Sequence, residues 1–85
     1  MRFEFLDFSF DIPNEMIEDY RSDFEVFKDS DMREDLNTIR ESIYDMMMLV
    51  ELEPKLLDKS DHVMKFAEAI AMKQALTDLK LLHDA

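Results

Sequence analysis

Carboxylates dominate the reactive side chains of this sequence: 21 Asp and Glu stand against 10 Lys and Arg and two His. A pair of acids does concerted general acid–base work only when both converge on one substrate. The pairs Glu18–Asp19 and Glu34–Asp35 are adjacent in stretches that read as helix, where neighbours diverge. Asp29, Asp31, Glu34 and Asp35 have the composition of a calcium loop, but that loop needs a glycine at its sharp turn and a later bidentate acid, and the chain has no glycine. The same absence excludes a glycine-rich phosphate cradle. His62 and His83 fall at opposite ends of one predicted helix, too far apart to share a metal, and both are expected at the surface, His83 against the negative helix end. Without cysteine there is no thiolate nucleophile, thiolate metal site or disulfide. Ser9, Ser22, Ser30, Ser42 and Ser60 have no base or oxyanion loop beside them in sequence, and Ser30 and Ser60 read as helix caps. The expectation is a protein that is not an enzyme, with no catalytic, cofactor or metal site.

What remains is charge and apolar surface. The net charge of −11 is uneven: residues 1–35 hold 12 acids against Arg2, Arg21, Lys28 and Arg33, and the remainder 9 against 6 bases. Such a field repels phosphate backbones and speeds encounter with basic partners. No direct nucleic-acid binding is therefore expected. No run approaches the roughly 18 apolar residues of a membrane span, and MRFEFLDFSFD, with Glu4, Asp7 and Asp11, lacks the basic start of a signal peptide. Together with the absence of cysteine, these features point to a cytoplasmic protein without a membrane partner.

The elements that must position these groups follow from periodicity. Met32, Leu36, Ile39, Ile43, Met46 and Val50 fall at steps of four and three, the apolar seam of one helix, with Glu34, Asn37, Arg40, Glu41 and Asp45 outside. From Met46 this helix turns apolar on every side. Met46, Met47, Met48, Leu49 and Val50 demand cover from several directions, which marks them as a self-association surface and the chain as a homodimer. Pro54 ends the helix after Glu53, and one turn is expected over Lys55–Asp58. Upstream, Asp11 as a cap and Pro13 in the first turn start a helix whose stripe is Ile12, Met16, Tyr20, Phe24 and Phe27. Downstream, Ser60 caps a last helix whose apolar residues begin on one face, Val63, Phe66, Ala67 and Ile70, and continue on another, Met72, Leu76 and Leu79. A helix needing cover on two faces is either central in the bundle or shared between subunits, and the scarcity of other material favours sharing. The cap of the middle helix is expected at Asp29 or Ser30.

The first ten residues alternate aromatic and polar groups in two registers, Phe3 and Phe5, then Leu6, Phe8 and Phe10. They read as a short strand or extended arm with an irregularity near Leu6 and Asp7. A two-residue hairpin there is disfavoured, because its arms would be very short and no glycine supplies the usual turn. A solitary strand invites pairing with a second copy or with a partner's sheet edge.

The predicted fold is thus all-α: one domain over residues 1–85, a three-helix bundle (about 13–28, 31–52 and 60–83) with an N-terminal extended arm or short strand. The leading functional expectation is a small acidic inhibitor or regulator that binds a basic surface of a nucleic-acid-handling protein, possessing the charge of a nucleic-acid mimic. Glu15, Glu18, Asp19 and Asp23 would meet that surface, and Phe3, Phe5 and Phe8 would serve as apolar anchors. FSFDIPNEMIEDY followed by SDMREDLNTIRESIYDMM also resembles the strand–helix–helix order of ribbon-helix-helix repressors, over residues 3–50. That resemblance implies a dimeric DNA-binding regulator or antitoxin, in which a strand from each of two subunits pairs and reads the major groove. The positions facing DNA would then be Glu4, Asp7 or Ser9, where such readers are normally basic or polar. The third expectation is a structural homo-oligomer with no foreign partner.

Overall fold

A computed structural model describes residues 1–29 and 32–82, so the expectations placed on Ser30, Asp31 and His83 lie outside the described residues. The chain opens with a β-hairpin rather than an arm. Strand β1 (Arg2–Phe5) pairs antiparallel with β2 (Phe8–Asp11) in the register Arg2↔Asp11, Phe3↔Phe10, Glu4↔Ser9 and Phe5↔Phe8. Met1 and Ile12 extend the ladder by exchanging two bonds, at 2.7 Å from the Ile12 amide to the Met1 carbonyl and 2.6 Å from the Met1 ammonium to the Ile12 carbonyl. The two-residue loop Leu6–Asp7 explains the two aromatic registers. Cross-strand partners share a face, so a loop of two residues brings odd-numbered Phe3 and Phe5 beside even-numbered Phe8 and Phe10. Short arms did not prevent this, because the ladder does not stand alone. Phe3, Phe5 and Phe10 meet the ring of Phe66 edge-on at 5.9, 5.4 and 5.6 Å, which supplies the platform an isolated two-stranded ribbon lacks.

Helix α1 runs Asn14–Phe24 and tightens into a 3₁₀ turn over Glu25–Lys28; α2 runs Arg33–Leu52; a second 3₁₀ turn, Pro54–Asp58, leads to α3, Ser60–Asp78. Three helices in the expected order thus form an all-α domain with the hairpin as its N-terminal extension. The caps differ from expectation. Asp11 is the last residue of β2, opposite Arg2, so Pro13 occupies the N-cap of α1; Met32 and Lys59 occupy those of α2 and α3, none with a side-chain cap bond, and Ser60 is already helical.

Helix α3 is the element on which α1 and α2 both pack. Phe66, Ala69, Ile70, Ala71, Ala75 and Leu76 are buried along it, which accounts for its two apolar faces: one chain's own helices and hairpin cover both, and no second subunit is required. Its alanines permit that close approach on opposite sides. In α2 the seam is observed, with Leu36, Ile43 and Val50 buried and Ile39 and Met46 half-buried, although Met32 at its start is exposed. In α1 the buried positions are Ile17 and Phe24, with Met16, Tyr20 and Phe27 half-buried around them. Ile17 borders the aromatic stripe, seven residues before Phe24 and so about 20° from it, and packing against α3 turns this edge of the stripe inward.

Among the described residues, two sit in the left-handed region that glycine would normally occupy, Leu6 (φ 53°) and Lys80 (φ 60°). Leu6 takes the first loop position of the hairpin, 68 % exposed and gaining little packing in return. Lys80 closes α3. The Leu81 amide bonds the Leu76 carbonyl at 2.8 Å and the Lys80 amide bonds the Thr77 carbonyl at 3.0 Å, the paired bonds of a Schellman motif. A left-handed L-residue costs about 1 kcal/mol or somewhat more. Leu6→Gly and Lys80→Gly are each expected to raise stability by about 1 kcal/mol, seen as a rise in Tm of roughly 4–8 °C. An unchanged Tm in both variants would show these positions to be unstrained.

Tyr20 stacks on Phe24 at 5.7 Å, and its phenol pKa is raised above 10.0, first by burial and then by the carboxylates of Glu68 and Asp23. The folded state therefore holds this proton more tightly than the unfolded state does. Its contribution to stability is complete below pH about 10 and is lost as pH rises through the raised pKa. Denaturation midpoints followed from pH 9 upward should fall less steeply in Tyr20→Phe than in the parent; equal slopes would contradict the assignment.

Candidate functional site

The four acids Glu15, Glu18, Asp19 and Asp23 are all exposed on α1. At 100° per residue they fall within an arc of about 140°, opposite the buried side of the helix. Arg21 lies on the flank of this face but is already engaged, at 3.4 Å from Asp78 on α3 and 4.0 Å from Glu18. The arrangement is a single acidic surface flanked by Arg21, which bridges Glu18 to Asp78 on α3. Like charges at i and i+4 destabilise a helix by a few tenths of a kcal/mol per pair, so Glu15–Asp19 and Asp19–Asp23 are tolerated by the fold rather than needed for it.

Phe3, Phe5 and Phe8 are half-buried on the inner face of the hairpin and pack against the core. They are therefore not free anchors. Phe3 and Phe5 contact Phe66, while Phe8 stacks on Phe10 at 6.3 Å. The outer face carries Arg2, Glu4, Ser9 and Asp11, where the Arg2 Nε donates to Ser9 Oγ at 3.0 Å. The strand pairing that the ribbon-helix-helix resemblance implies between subunits is made here within one chain.

The run Met46–Val50 is divided. Val50 is fully buried in the chain's own core and is unavailable to another subunit; Met46 and Met47 are half-buried; Met48 and Leu49 stay exposed. Tyr44, Met48 (59 % exposed) and Leu52 (75 %) then form an exposed stripe at i, i+4 and i+8. Leu52 was missed by reasoning on the methionine run, although the i+4 step from Met48 signals it. A groove of about 340 Å³ beside this stripe is bounded by Phe5, Met47, Glu51 and Lys73, one charge of each sign.

A second groove, about 700 Å³, lies between β2, the start of α1, the second 3₁₀ turn and α3. Phe10, Met16, Leu57 and Val63 provide its apolar lining, and its charged groups are Asp11 and Asp58. No motif in the sequence signals it, since it assembles from four separate segments.

Among the described residues, no three or more His, Asp or Glu side chains come together as metal ligands, and no helix is long and apolar enough to cross a membrane. His62 is half-buried rather than a surface residue, and its Nδ1 is shielded without a hydrogen-bond partner among the described residues. No family model, curated protein or solved structure matches the chain.

Proposed function

We propose that this chain is a non-enzymatic protein-binding module, a small acidic inhibitor or regulator whose first helix meets a basic surface on a nucleic-acid-handling protein. The observation that carries this reading is the exposed carboxylate face of α1, Glu15, Glu18, Asp19 and Asp23, of which Glu18 alone pairs with Arg21, at 4.0 Å, while Arg21 also reaches Asp78 at 3.4 Å. At 1.5 Å per residue these four charges are spread over about 12 Å, one per roughly 4 Å. One strand of duplex DNA carries a charge every 3.4 Å or so, so a surface evolved to track phosphates would find a comparable charge density here. Like-charge pairs that cost the helix a few tenths of a kcal/mol each, with no gain to the fold, fit a surface that serves binding.

A second reading, a homodimer, is favoured by the exposed stripe Tyr44, Met48 and Leu52. One pair of measurements separates the two. The quadruple variant Glu15→Gln, Glu18→Gln, Asp19→Asn, Asp23→Asn is compared with the parent in affinity capture from the native host and in sedimentation. Under the acidic-face reading, captured basic proteins are lost with the variant and in about 0.5 M salt, which screens exposed charges. Affinity for any identified partner then falls roughly tenfold or more, about 1.4 kcal/mol, while any self-association persists. Equal capture by both proteins would refute the acidic face as the binding surface.

A further inference from the structure

The hairpin has an edge that its own fold leaves open. Because Met1 with Ile12 forms a doubly bonded pair, alternation makes Phe3 with Phe10 and Phe5 with Phe8 the next ones, and turns the backbone groups of Ser9 and Asp11 away from β1. Among the described residues no backbone bond from another segment reaches Ser9 or Asp11. The 700 Å³ groove lies against this strand, lined by Ser9, Phe10 and Asp11. Natural proteins usually blunt or cover such an edge; β2 is short and carries Asp11 but is left uncovered beside apolar surface.

We propose that β2 and this groove accept an extended segment of a protein partner as a third strand, with alternate side chains apolar and basic. The proposal rests on the reading of the chain as an acidic protein-binding module and adds where, and in what conformation, the partner engages. Ser9 and Asp11 offer the main-chain donors and acceptors that give strand addition its affinity. Val63, Leu57, Met16 and the 55 % exposed Met64 take the apolar side chains. Among the described residues the charged groups lining the groove are Asp11 and Asp58, with no cation, so the alternate side chains of the incoming strand are lysine or arginine. Asp19 and Asp23 continue this sign, since helical geometry sets them on the same flank of α1 as Met16.

Other occupants fit less well. A small-molecule cleft fixes its ligand with convergent buried polar groups, whereas Ser9, Asp11, Asp58 and Ser60 are all exposed. A second copy pairing through β2 would bring two Asp11-bearing strands together between molecules of charge −11, against their mutual repulsion. The smaller groove carries both Glu51 and Lys73 and selects no sign of charge.

The test uses a fluorescent peptide of about eight residues alternating valine and lysine, long enough to span a strand. Its companions are a valine–glutamate twin and two versions N-methylated on odd or on even backbone amides. Expected are saturable binding of the lysine peptide, none of the glutamate twin, and loss with one methylation pattern but not the other, because only alternate amides of an added strand face its neighbour. Amide exchange at Ser9 and Asp11 should slow on binding. Met64→Lys should weaken binding roughly tenfold and Met48→Lys, with the same charge change outside the groove, should leave it unchanged. Asp11→Asn with Asp58→Asn, which leaves the core untouched, should also weaken it. Absence of lysine-peptide binding, equal loss with both methylated peptides, equal effects of the two lysine variants, or a dimer of the parent that Met64→Lys dissolves would each overturn the proposal. Binding lost in the quadruple α1 variant but intact in Met64→Lys would overturn strand addition alone and leave the acidic-face reading standing.

Discussion

Phe66→Ala is expected to destabilise the protein by about 3–5 kcal/mol, the range for emptying a fully buried aromatic site. Phe66 has no exposed surface and is the largest of the fully buried side chains. Three hairpin rings, Phe3, Phe5 and Phe10, end on it from one side, so alanine removes both core volume and the surface that holds the hairpin flat. A domain of this size has a total stability of roughly 4–13 kcal/mol, and a loss of this order leaves little. Denaturant titration followed by circular dichroism measures the global loss, and amide exchange in Phe3–Phe10 measures the local one. Phe66→Leu keeps most of the volume but not the edge-on contacts, and should cost about 1.5 kcal/mol. If Phe66→Ala changed stability by less than about 1 kcal/mol, the hairpin would have to be held by something other than this ring.

Arg40→Ala is expected to cost about 1.5–3 kcal/mol, the value of hydrogen bonds made by a charged group. The half-buried guanidinium donates from Nε to the Leu81 carbonyl at 2.9 Å and from Nη2 to the same oxygen, while Nη1 donates to Asn37 Oδ1 at 3.0 Å. It ties the middle of α2 to the segment beyond α3, where Leu81 and Leu82 pack on the core. Removing it leaves a carbonyl without either donor and loosens both leucines. Arg40→Lys retains the charge but not the planar fork, so it should recover less than half of the loss. Thermal melts within about 0.5 kcal/mol of the parent for both variants would show that this contact contributes nothing to folding.

Arg40 also illustrates what a sequence withholds. On α2 it reads as one more charged residue on the outer face, and nothing local distinguishes it from Glu41 or Asp45. Its partner is 41 residues away in sequence. The acidic face of α1 was legible because it depends only on helical spacing and on where the apolar stripe lies. The apolar anchors were not. Phe3, Phe5 and Phe8 look like exposed contacts until the register of the hairpin and the position of Phe66 turn them inward. The groove beside β2 has no linear signature at all, since its lining comes from a strand, two helices and a 3₁₀ turn.

By itself the sequence determined the three helices, the break at Pro54 and the exclusion of glycine-dependent and cysteine-dependent chemistry, because these follow from 3.6-residue periodicity, from the geometry of proline and from composition. Tertiary structure alone decided three further matters. It made a hairpin out of an apparent arm, since a four-residue ladder is marginal without a platform and Phe66 provides one. It put α3 at the centre, covering within one chain the two faces that suggested a second subunit. It also sorted Met46 to Val50 into core and surface, because a run that is apolar on every side contains no information about which side its neighbours will take.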